Sequence, residues 1–149
     1  MKHIIWALGW VFLDQISKLY IEKTLYLGES RPIIENIFHI TYIINHGAAF
    51  GILADQRWFF LFVAALLWLG YGVFRKRIPK RLDVELAVSL LLGGALGNAI
   101  DRFWLHGVRD FFDFRIWPIF NIADIEIMAG MFILIWYIWD IERERKRDE

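Results

Sequence analysis

The hydrophobic positions of this 149-residue chain fall into four long runs, at residues 4–20, 58–74, 84–100 and 119–139. Each run approaches the ~20 apolar residues that an α-helix needs to cross a bilayer. Buried helices of a soluble bundle are the alternative, but the polar faces of these runs are too thin for a bundle surrounded by water. We therefore predict an integral membrane protein that is mainly α, with four transmembrane helices in a single membrane domain over residues 1–149.

Between the first and second runs, residues 33–44 carry many β-branched and aromatic side chains in partial alternation. This pattern predicts one or two strands, and therefore a small β segment at the outer face. Two uses of such a segment stay open. An exposed strand pair can accept an extended peptide as a further strand, or the segment can pack as a lid over the helices.

Composition agrees with a lipid environment. The chain is 58% hydrophobic and 17% aromatic, with eight Trp and thirteen Phe residues, whereas soluble domains are about half apolar. The absence of Cys excludes disulfides, thiolate nucleophiles and thiolate metal sites. The four His residues are scattered without the spacing of metal ligands, so we expect neither a metal nor another cofactor.

The basic residues indicate which face of the membrane each connection occupies. Five Lys and Arg residues lie in the link at residues 75–81, and four lie in the C-terminal tail at residues 140–149. Connections rich in Lys and Arg stay in the cytoplasm. Both termini are therefore predicted to be cytoplasmic. The connections at residues 23–57 and 102–118, with three basic residues each, are predicted to lie at the outer face.

Two aspartates lie near the ends of the connection before the fourth run, Asp110 in the sequence VRDF and Asp124 in FNIAD. A carboxylate at the edge of a membrane costs free energy unless it is paired, hydrated or used. Two that converge can share one proton and activate a water molecule. Other interpretations stay open. Asn121 can cap the fourth helix with Asp124 in its first turn, and Asp113 would share a side with Asp110 if the connection were helical.

Further polar residues lie inside the predicted helices. Asn98, Asp101 and Arg102 follow one another at helical spacing, so they share one helix face. Arg102 can reach the membrane surface with Asp101 as its local partner, whereas Asn98 lies one turn deeper. Asp14 and Lys18 are four residues apart, the spacing of an intrahelical ion pair that largely offsets its own burial cost.

Four stretches of the sequence resemble the lipoprotein signal peptidase family, also called signal peptidase II. They recur in the family's order and span most of the chain, from residue 14 to residue 124. The stretches are DQISK at residues 14–18, NHGAAFG at 45–51, GGALGNAIDR at 93–102, and VRDF at 108–111 followed by FNIAD at 120–124.

This resemblance implies a fold and a function. Members of the family are aspartyl endopeptidases of the bacterial inner membrane, and they remove the signal peptide of prolipoproteins just before a diacylglyceryl-modified cysteine. By this resemblance Asp110 and Asp124 are the catalytic dyad, at the outer face of the cytoplasmic membrane. The positions that bind substrate or support the dyad correspond here to Asn45, Gly47, Asn98, Asp101, Arg102, Asn121, Ala123, Asp14 and Lys18.

The same resemblance implies the partners. They are prolipoproteins bearing diacylglyceryl-cysteine and membrane lipids, without a cofactor, a metal or a nucleic acid, and the protein is expected to be a monomer. The chain departs from the family at Arg109, where an apolar residue is usual, and at Ile125 and Glu126, where a small hydroxyl residue is common. The connection between the aspartates is also short. These departures concern substrate preference and loop shape, because both dyad positions are kept.

Two other classes of function compete with the peptidase. A small proton-coupled transporter or channel subunit also carries acids inside the membrane, but here the key acids cluster at one face. A structural assembly protein would use its polar residues only to join helices. It predicts that Asp110→Asn and Asp124→Asn lower stability without ending a chemical activity.

Overall fold

The computed structural model describes residues 2–47 and 53–148. Within these residues, four helices are long and apolar enough to cross a membrane, so the predicted mainly α membrane fold is confirmed. Residues 48–51, which belong to the second stretch of the family resemblance, lie outside the described part. The elements in chain order are α1 (Lys2–Thr24), β1 (Ser30–Ile34), β2 (Phe38–Asn45), α2 (Arg57–Phe74), α3 (Leu82–Leu105), β3 (Val108–Asp113) and α4 (Ile122–Asp148).

The fourth helix begins later than its hydrophobic pattern indicated. The predicted span starts at residue 119, whereas α4 starts at Ile122. The preceding backbone is extended because Phe120 pairs with Phe112 of β3. Asn121 then caps the helix as predicted, since its Oδ1 accepts the Asp124 backbone N–H at 3.0 Å. In return Asp124 Oδ2 accepts the Asn121 backbone N–H at 3.1 Å, which makes the reciprocal pair of a capping box.

Within the described residues, the β segment is a three-stranded antiparallel sheet in the order β1-β2-β3. Two strands, β1 and β2, account for the one or two strands predicted at residues 33–44, but the first strand starts earlier than predicted, at Ser30. A turn separates the two strands. Asn36 makes this turn with a φ of 61°, a left-handed conformation that Asn tolerates. The sheet extends back to Ser30 because this residue pairs with Thr41, and the two hydroxyls are 2.7 Å apart.

The third strand, β3, was not predicted. It pairs with β2, where Ile43 lies opposite Asp110 and Ile40 lies opposite Phe112, with one extra residue in β2 between these pairs. Successive side chains of a strand point to opposite faces. The helical spacing considered for Asp110 and Asp113 is therefore wrong, because residues three apart in a strand lie on opposite faces.

The helix α3 is the centre of the bundle and contacts α1, α2 and α4. Glycines permit two of these contacts: Gly93 faces Trp10 of α1, and Gly94 faces the backbone carbonyl of Ala123 in α4. The helix α2 lies at the periphery, since none of its described side chains is buried. A small apolar core joins the end of α1 to the sheet. Its buried members are Ile21, Leu25, Tyr42 and Phe111.

Candidate active site

Asp110 lies in the middle of β3 and is 2% exposed. Both of its carboxylate oxygens accept hydrogen bonds from Asn side chains. Asn121 Nδ2 donates to Oδ1 at 2.6 Å, and Asn45 Nδ2 donates to Oδ2 at 2.9 Å. Burial, together with the negative charge of Asp124, raises the pKa of Asp110 to about 7. Asp110 can therefore hold a proton at a pH where an ordinary aspartate is ionised.

Asp124 lies in the first turn of α4 and faces the same pocket as Asp110. Its Oδ1 accepts a hydrogen bond from Asn98 Nδ2 at 2.8 Å, while its Oδ2 accepts the capping bond from the Asn121 backbone. Asn121 thus contacts both aspartates, one through its side chain and the other through its backbone. This residue links the two carboxylates of the predicted pair.

A pocket of about 620 Å³ adjoins both aspartates, a volume in the range of small-molecule sites. The lining combines the two aspartates and the Asn side chains bonded to them with a larger number of apolar side chains. Met128 of α4, one of the apolar lining residues, is 67% exposed. Such a pocket can hold a peptide bond near the carboxylates and apolar groups beside the helix. Its lining residues are Asn45, Gly47, Asn98, Arg102, Val108, Asp110, Phe114, Ile116, Trp117, Pro118, Ile119, Phe120, Asp124, Ile125, Ile127 and Met128.

Arg102 is the basic residue in this lining. Its Nη2 donates to the Gly47 carbonyl at 3.2 Å, and its guanidinium carbon lies 4.2 Å from the centre of the Phe60 ring. The sequence interpretation that Asp101 is its local partner is wrong, because neighbouring helix residues do not face each other. Asp101 instead contacts Arg109 and Lys18. Arg102 is thus held by a carbonyl and a ring, with its charge beside the pocket.

Behind the pocket, Lys18 and Asp14 form the predicted ion pair, with 2.8 Å between Nζ and Oδ2 and no exposure of either side chain. Lys18 Nζ also donates to Asn98 Oδ1 at 3.0 Å. Because this bond occupies the carbonyl end of the Asn98 amide, the amino end is directed to Asp124. Asp14 Oδ1 accepts the Ala123 backbone N–H at 3.0 Å. The pair therefore supports the start of α4 and the amide that contacts Asp124.

The residues that the resemblance assigned to this site separate into two groups. Some line the pocket or bind a residue of the aspartate pair directly, and the others lie behind it. The pocket group is Asn45, Gly47, Asn98, Arg102, Asn121, Asp110 and Asp124, and the group behind it is Asp14, Lys18, Asp101 and Ala123.

Asp113, the other candidate in the same connection, does not line the pocket. Thr41 Oγ1 donates to its Oδ2 at 2.8 Å, and the Arg115 backbone N–H donates to its Oδ1 at 2.8 Å. Burial alone would raise the pKa of Asp113, but these hydrogen bonds and the nearby guanidinium of Arg115 lower it. Asp113 is therefore a fixed carboxylate that joins β3 to β2 and to the following turn.

Sequence reasoning missed Gln15 and the role of Arg109. Gln15 Nε2 contacts Asp14 and Asp101, and its Oε1 accepts a hydrogen bond from Arg109. One feature of the sequence does point to both residues, because each is adjacent to an assigned aspartate. Gln15 directly follows Asp14, and Arg109 directly precedes Asp110, within the stretches that resemble the family. Within the described residues, no group of three or more His, Asp or Glu side chains could hold a metal ion.

Comparison with known proteins gives consistent matches over nearly the whole chain. The sequence profile of the family described as signal peptidase (SPase) II matches residues 6–140. The lipoprotein signal peptidase of Halothermothrix orenii is 41% identical over 133 residues, which are 89% of this chain and 92% of that protein. The one from Clostridioides difficile is 40% identical over 149 residues, which are 98% of this chain and 100% of that protein.

Two solved structures share the fold. Both are described as bacterial membrane enzymes studied by the in meso method, one at 2.3 Å and the other at 1.9 Å resolution. The first has a TM-score of 0.85 and 36% sequence identity, and the match covers 93% of this chain and 87% of that chain. The second has a TM-score of 0.81 and 36% identity, with 91% of each chain covered.

Proposed function

This chain belongs to the signal peptidase II family, and we propose that it is an aspartyl endopeptidase that removes the signal peptide from diacylglyceryl-modified prolipoproteins. The proposed cleavage is immediately before the lipid-modified cysteine. The observation that carries this proposal is the placement of Asp110 and Asp124 on one pocket, linked by Asn121. The named relatives, which are lipoprotein signal peptidases, support the substrate class.

The proposed chemistry needs one proton on the pair of aspartates. The raised pKa of Asp110 favours that residue as the holder of the proton near and below pH 7. Asp124 then takes a proton from a water molecule, whose oxygen attacks the carbonyl carbon of the scissile peptide. Asp110 donates a hydrogen bond to the carbonyl oxygen as negative charge develops there.

The tetrahedral intermediate collapses when the bond between carbon and nitrogen breaks. The leaving nitrogen takes a proton from the pair, so the products are a carboxyl group on the signal peptide and a free amine on the lipid-modified cysteine. The Arg102 guanidinium borders the pocket and is suited to stabilise the negative charge of the intermediate. The apolar lining beside α4 suits the acyl chains, which remain in the bilayer.

We also propose that this site lies at the outer face of the cytoplasmic membrane. The link at residues 75–81 and the C-terminal tail are rich in basic residues, which favours a cytoplasmic position for both. The pocket is built at the opposite ends of the helices, from the end of β2, the end of α3, the strand β3 and the start of α4. The protein is proposed to act as a monomer.

The test is cleavage of a diacylglyceryl-modified prolipoprotein by the purified protein in detergent. Wild type is compared with Asp110→Asn and Asp124→Asn, and an unlipidated prolipoprotein serves as the substrate control. Asp113→Asn is the matched variant, because it changes a buried aspartate of the same strand that does not line the pocket.

We expect wild type and Asp113→Asn to cut the lipidated substrate, and both dyad variants to be folded but at least about 10³-fold slower. An inert wild type, or full activity in either dyad variant, would refute the proposal. Equal cleavage of the unlipidated substrate would refute the substrate class while leaving the dyad in place.

A further inference from the structure

Arg109 is a buried cation next to the catalytic strand position. It precedes Asp110 in β3 and is 5% exposed. Because side chains alternate along a strand, Arg109 points away from the pocket that Asp110 faces. Arginine is almost never fully buried unless it is paired, so Arg109 is expected to have partners on that side of the strand.

Asp101 of α3 is the main partner of Arg109. The Arg109 backbone N–H and Nε both donate to Asp101 Oδ2, at 3.0 and 3.1 Å, and Nη2 donates to Asp101 Oδ1 at 2.7 Å. A guanidinium that engages both oxygens of one carboxylate fixes its orientation as well as its distance. Asp101 is 1% exposed, and so this pair joins β3 to α3 inside the protein.

The same guanidinium also contacts α1 at two positions. Arg109 Nη2 donates to Gln15 Oε1 at 3.1 Å, and Nη1 donates to Glu22 Oε2 at 2.8 Å. The Glu22 side chain is 42% exposed, whereas that of Arg109 is 6% exposed. Gln15 in turn donates to Asp101 at 3.2 Å. One side chain of β3 is thus tied to two helices at once.

The contacts of Arg109 with α1 and α3 affect the distance between the two catalytic aspartates. Asp110 belongs to the sheet, whereas Asp124 belongs to a helix, so the gap between them depends on how the sheet is fixed to the bundle. Asn45 of β2 holds one oxygen of Asp110 but would move together with the sheet, and Asn121 holds the other oxygen at the start of α4. Arg109 is the residue that attaches this strand to α1 and α3 by polar contacts.

We propose that Arg109 is a positioning residue, which fixes β3 on α1 and α3 so that Asp110 stays at the correct depth beside Asp124. The inference rests on the proposed function for its catalytic consequence. It adds a role for Asp101, which acts through Arg109 and not on the substrate. Arg109 itself touches neither the pocket nor the reacting atoms.

The test compares Arg109→Met, Arg109→Lys and Glu22→Gln with wild type in the full purified chain. Arg109→Met removes every hydrogen bond of the guanidinium group. Arg109→Lys keeps the positive charge but loses the paired contact with Asp101, and Glu22→Gln weakens only the contact with the exposed Glu22 side chain. Arg31→Met is the matched control, because Arg31 is an exposed arginine of the same sheet that pairs with Glu29. The readouts are kcat and KM for the lipidated substrate, the pH profile, and amide hydrogen exchange of β3.

For Arg109→Met we expect kcat to fall by about 10- to 100-fold with KM unchanged, since a shift of about 1 Å at a reacting group has this effect. The alkaline limb of the profile should move to lower pH, because a looser strand exposes Asp110 to water. Exchange of the β3 amides should become at least about tenfold faster. Arg109→Lys should lie between Arg109→Met and wild type, Glu22→Gln should be close to wild type, and Arg31→Met should match it.

Unchanged kcat, pH profile and exchange in folded Arg109→Met would overturn the inference. If that variant does not fold, Arg109→Lys decides: slower turnover and faster exchange support the inference, and wild-type values for both overturn it. Hydrogen exchange needs no substrate. An inert wild type would therefore refute the proposed function, while the exchange of β3 would still decide the role of Arg109.

Discussion

At the scale of single residues, the protonation of Asp110 leads to a prediction for the pH dependence of cleavage. Its pKa is raised to about 7 by burial and by Asp124, so the pair keeps its shared proton below that pH and loses it above. Two ionised carboxylates cannot polarise the scissile carbonyl. We expect kcat/KM to fall above about pH 7, approaching tenfold per pH unit.

The measurement is kcat/KM of wild type from pH 5 to pH 9 with the lipidated substrate. Asp113→Asn is the control, because it removes a carboxylate of the same strand and should leave the alkaline limb in place. Activity that stays level or rises through pH 9 would contradict the assignment of the proton to this pair.

Glu126 carries a second prediction at this scale, because it is a buried acid in α4. It is 3% exposed, and neither carboxylate oxygen has a hydrogen-bond partner among the described residues. A buried polar group without a partner costs about 1–3 kcal/mol. Glu126→Met keeps the volume and removes this cost, so we expect an increase in the free energy of unfolding of about that size.

Thermal unfolding in detergent measures this effect, and a rise of about 2–4 °C per kcal/mol is expected for a chain of this length. Glu144→Met is the control, since Glu144 lies exposed on the same helix. A lower midpoint for Glu126→Met would mean that the carboxyl group is satisfied in the native protein.

The sequence predicted residues whose partners are close in the chain and missed those whose partners are distant. The ion pair of Asp14 and Lys18 follows from a four-residue spacing, and the structure confirms it. Arg109 bonds to Gln15 across 94 positions, and no local spacing carries that information. The sequence interpretation paired Asp101 with its neighbour Arg102, because only the tertiary structure shows that Arg109 lies beside Asp101.

At the scale of helices and strands, the contact between α3 and α4 depends on a glycine. A Cβ at Gly94 would lie against the backbone carbonyl of Ala123, which directly precedes Asp124. A carbonyl in a helix cannot rotate away as a side chain can. Gly94→Ala is therefore expected to force α4 outward, destabilise the fold by about 1–3 kcal/mol and lower kcat.

Gly9→Ala is the matched control, because a Cβ at Gly9 of α1 meets nothing within 4 Å. Alanine has a higher helix propensity than glycine, by about 1 kcal/mol in soluble hosts. Thermal unfolding and cleavage of both variants should thus separate the two glycines. Equal behaviour of Gly94→Ala and Gly9→Ala would show that close approach of the two helices is not required.

The strands show where pattern reasoning fails for a whole element. In β3, charged residues at 109, 110 and 113 break the alternation of apolar and polar positions that marks a strand. The strand forms because each of those charges has a partner on its own face: Asp101 for Arg109, Asn121 for Asp110 and Thr41 for Asp113. Hydropathy found the helices because apolar length alone decides whether a segment can span the bilayer.

At the scale of the whole molecule, polar chemistry is gathered at one end of the bundle. The pair of Asp14 and Lys18, the polar end of α3 and the start of α4 all lie near the sheet. A proton path across the membrane would need acids along the depth of the helices. From residue 127 to residue 139, however, α4 carries no charged residue. This distribution favours a site at one face over a transport path.

Orientation in the membrane gives the prediction at this scale, and the composition makes it simple to test. Because the chain has no Cys, a single introduced Cys is the only thiol that a maleimide can label. Glu35 lies exposed in the turn of the sheet, and Lys76 lies exposed in the basic link between α2 and α3. The positive-inside rule predicts that they lie on opposite sides of the bilayer.

Glu35→Cys is therefore expected to react with a membrane-impermeant maleimide on intact bacterial spheroplasts, whereas Lys76→Cys should react only after the membrane is permeabilised. Cleavage activity of both variants confirms that the labelled protein is correctly folded. The reverse labelling pattern would put the sheet and both aspartates in the cytoplasm. A prolipoprotein whose cleavage site has crossed the membrane could not then reach the aspartates. The reverse orientation would therefore also contradict the proposed substrate.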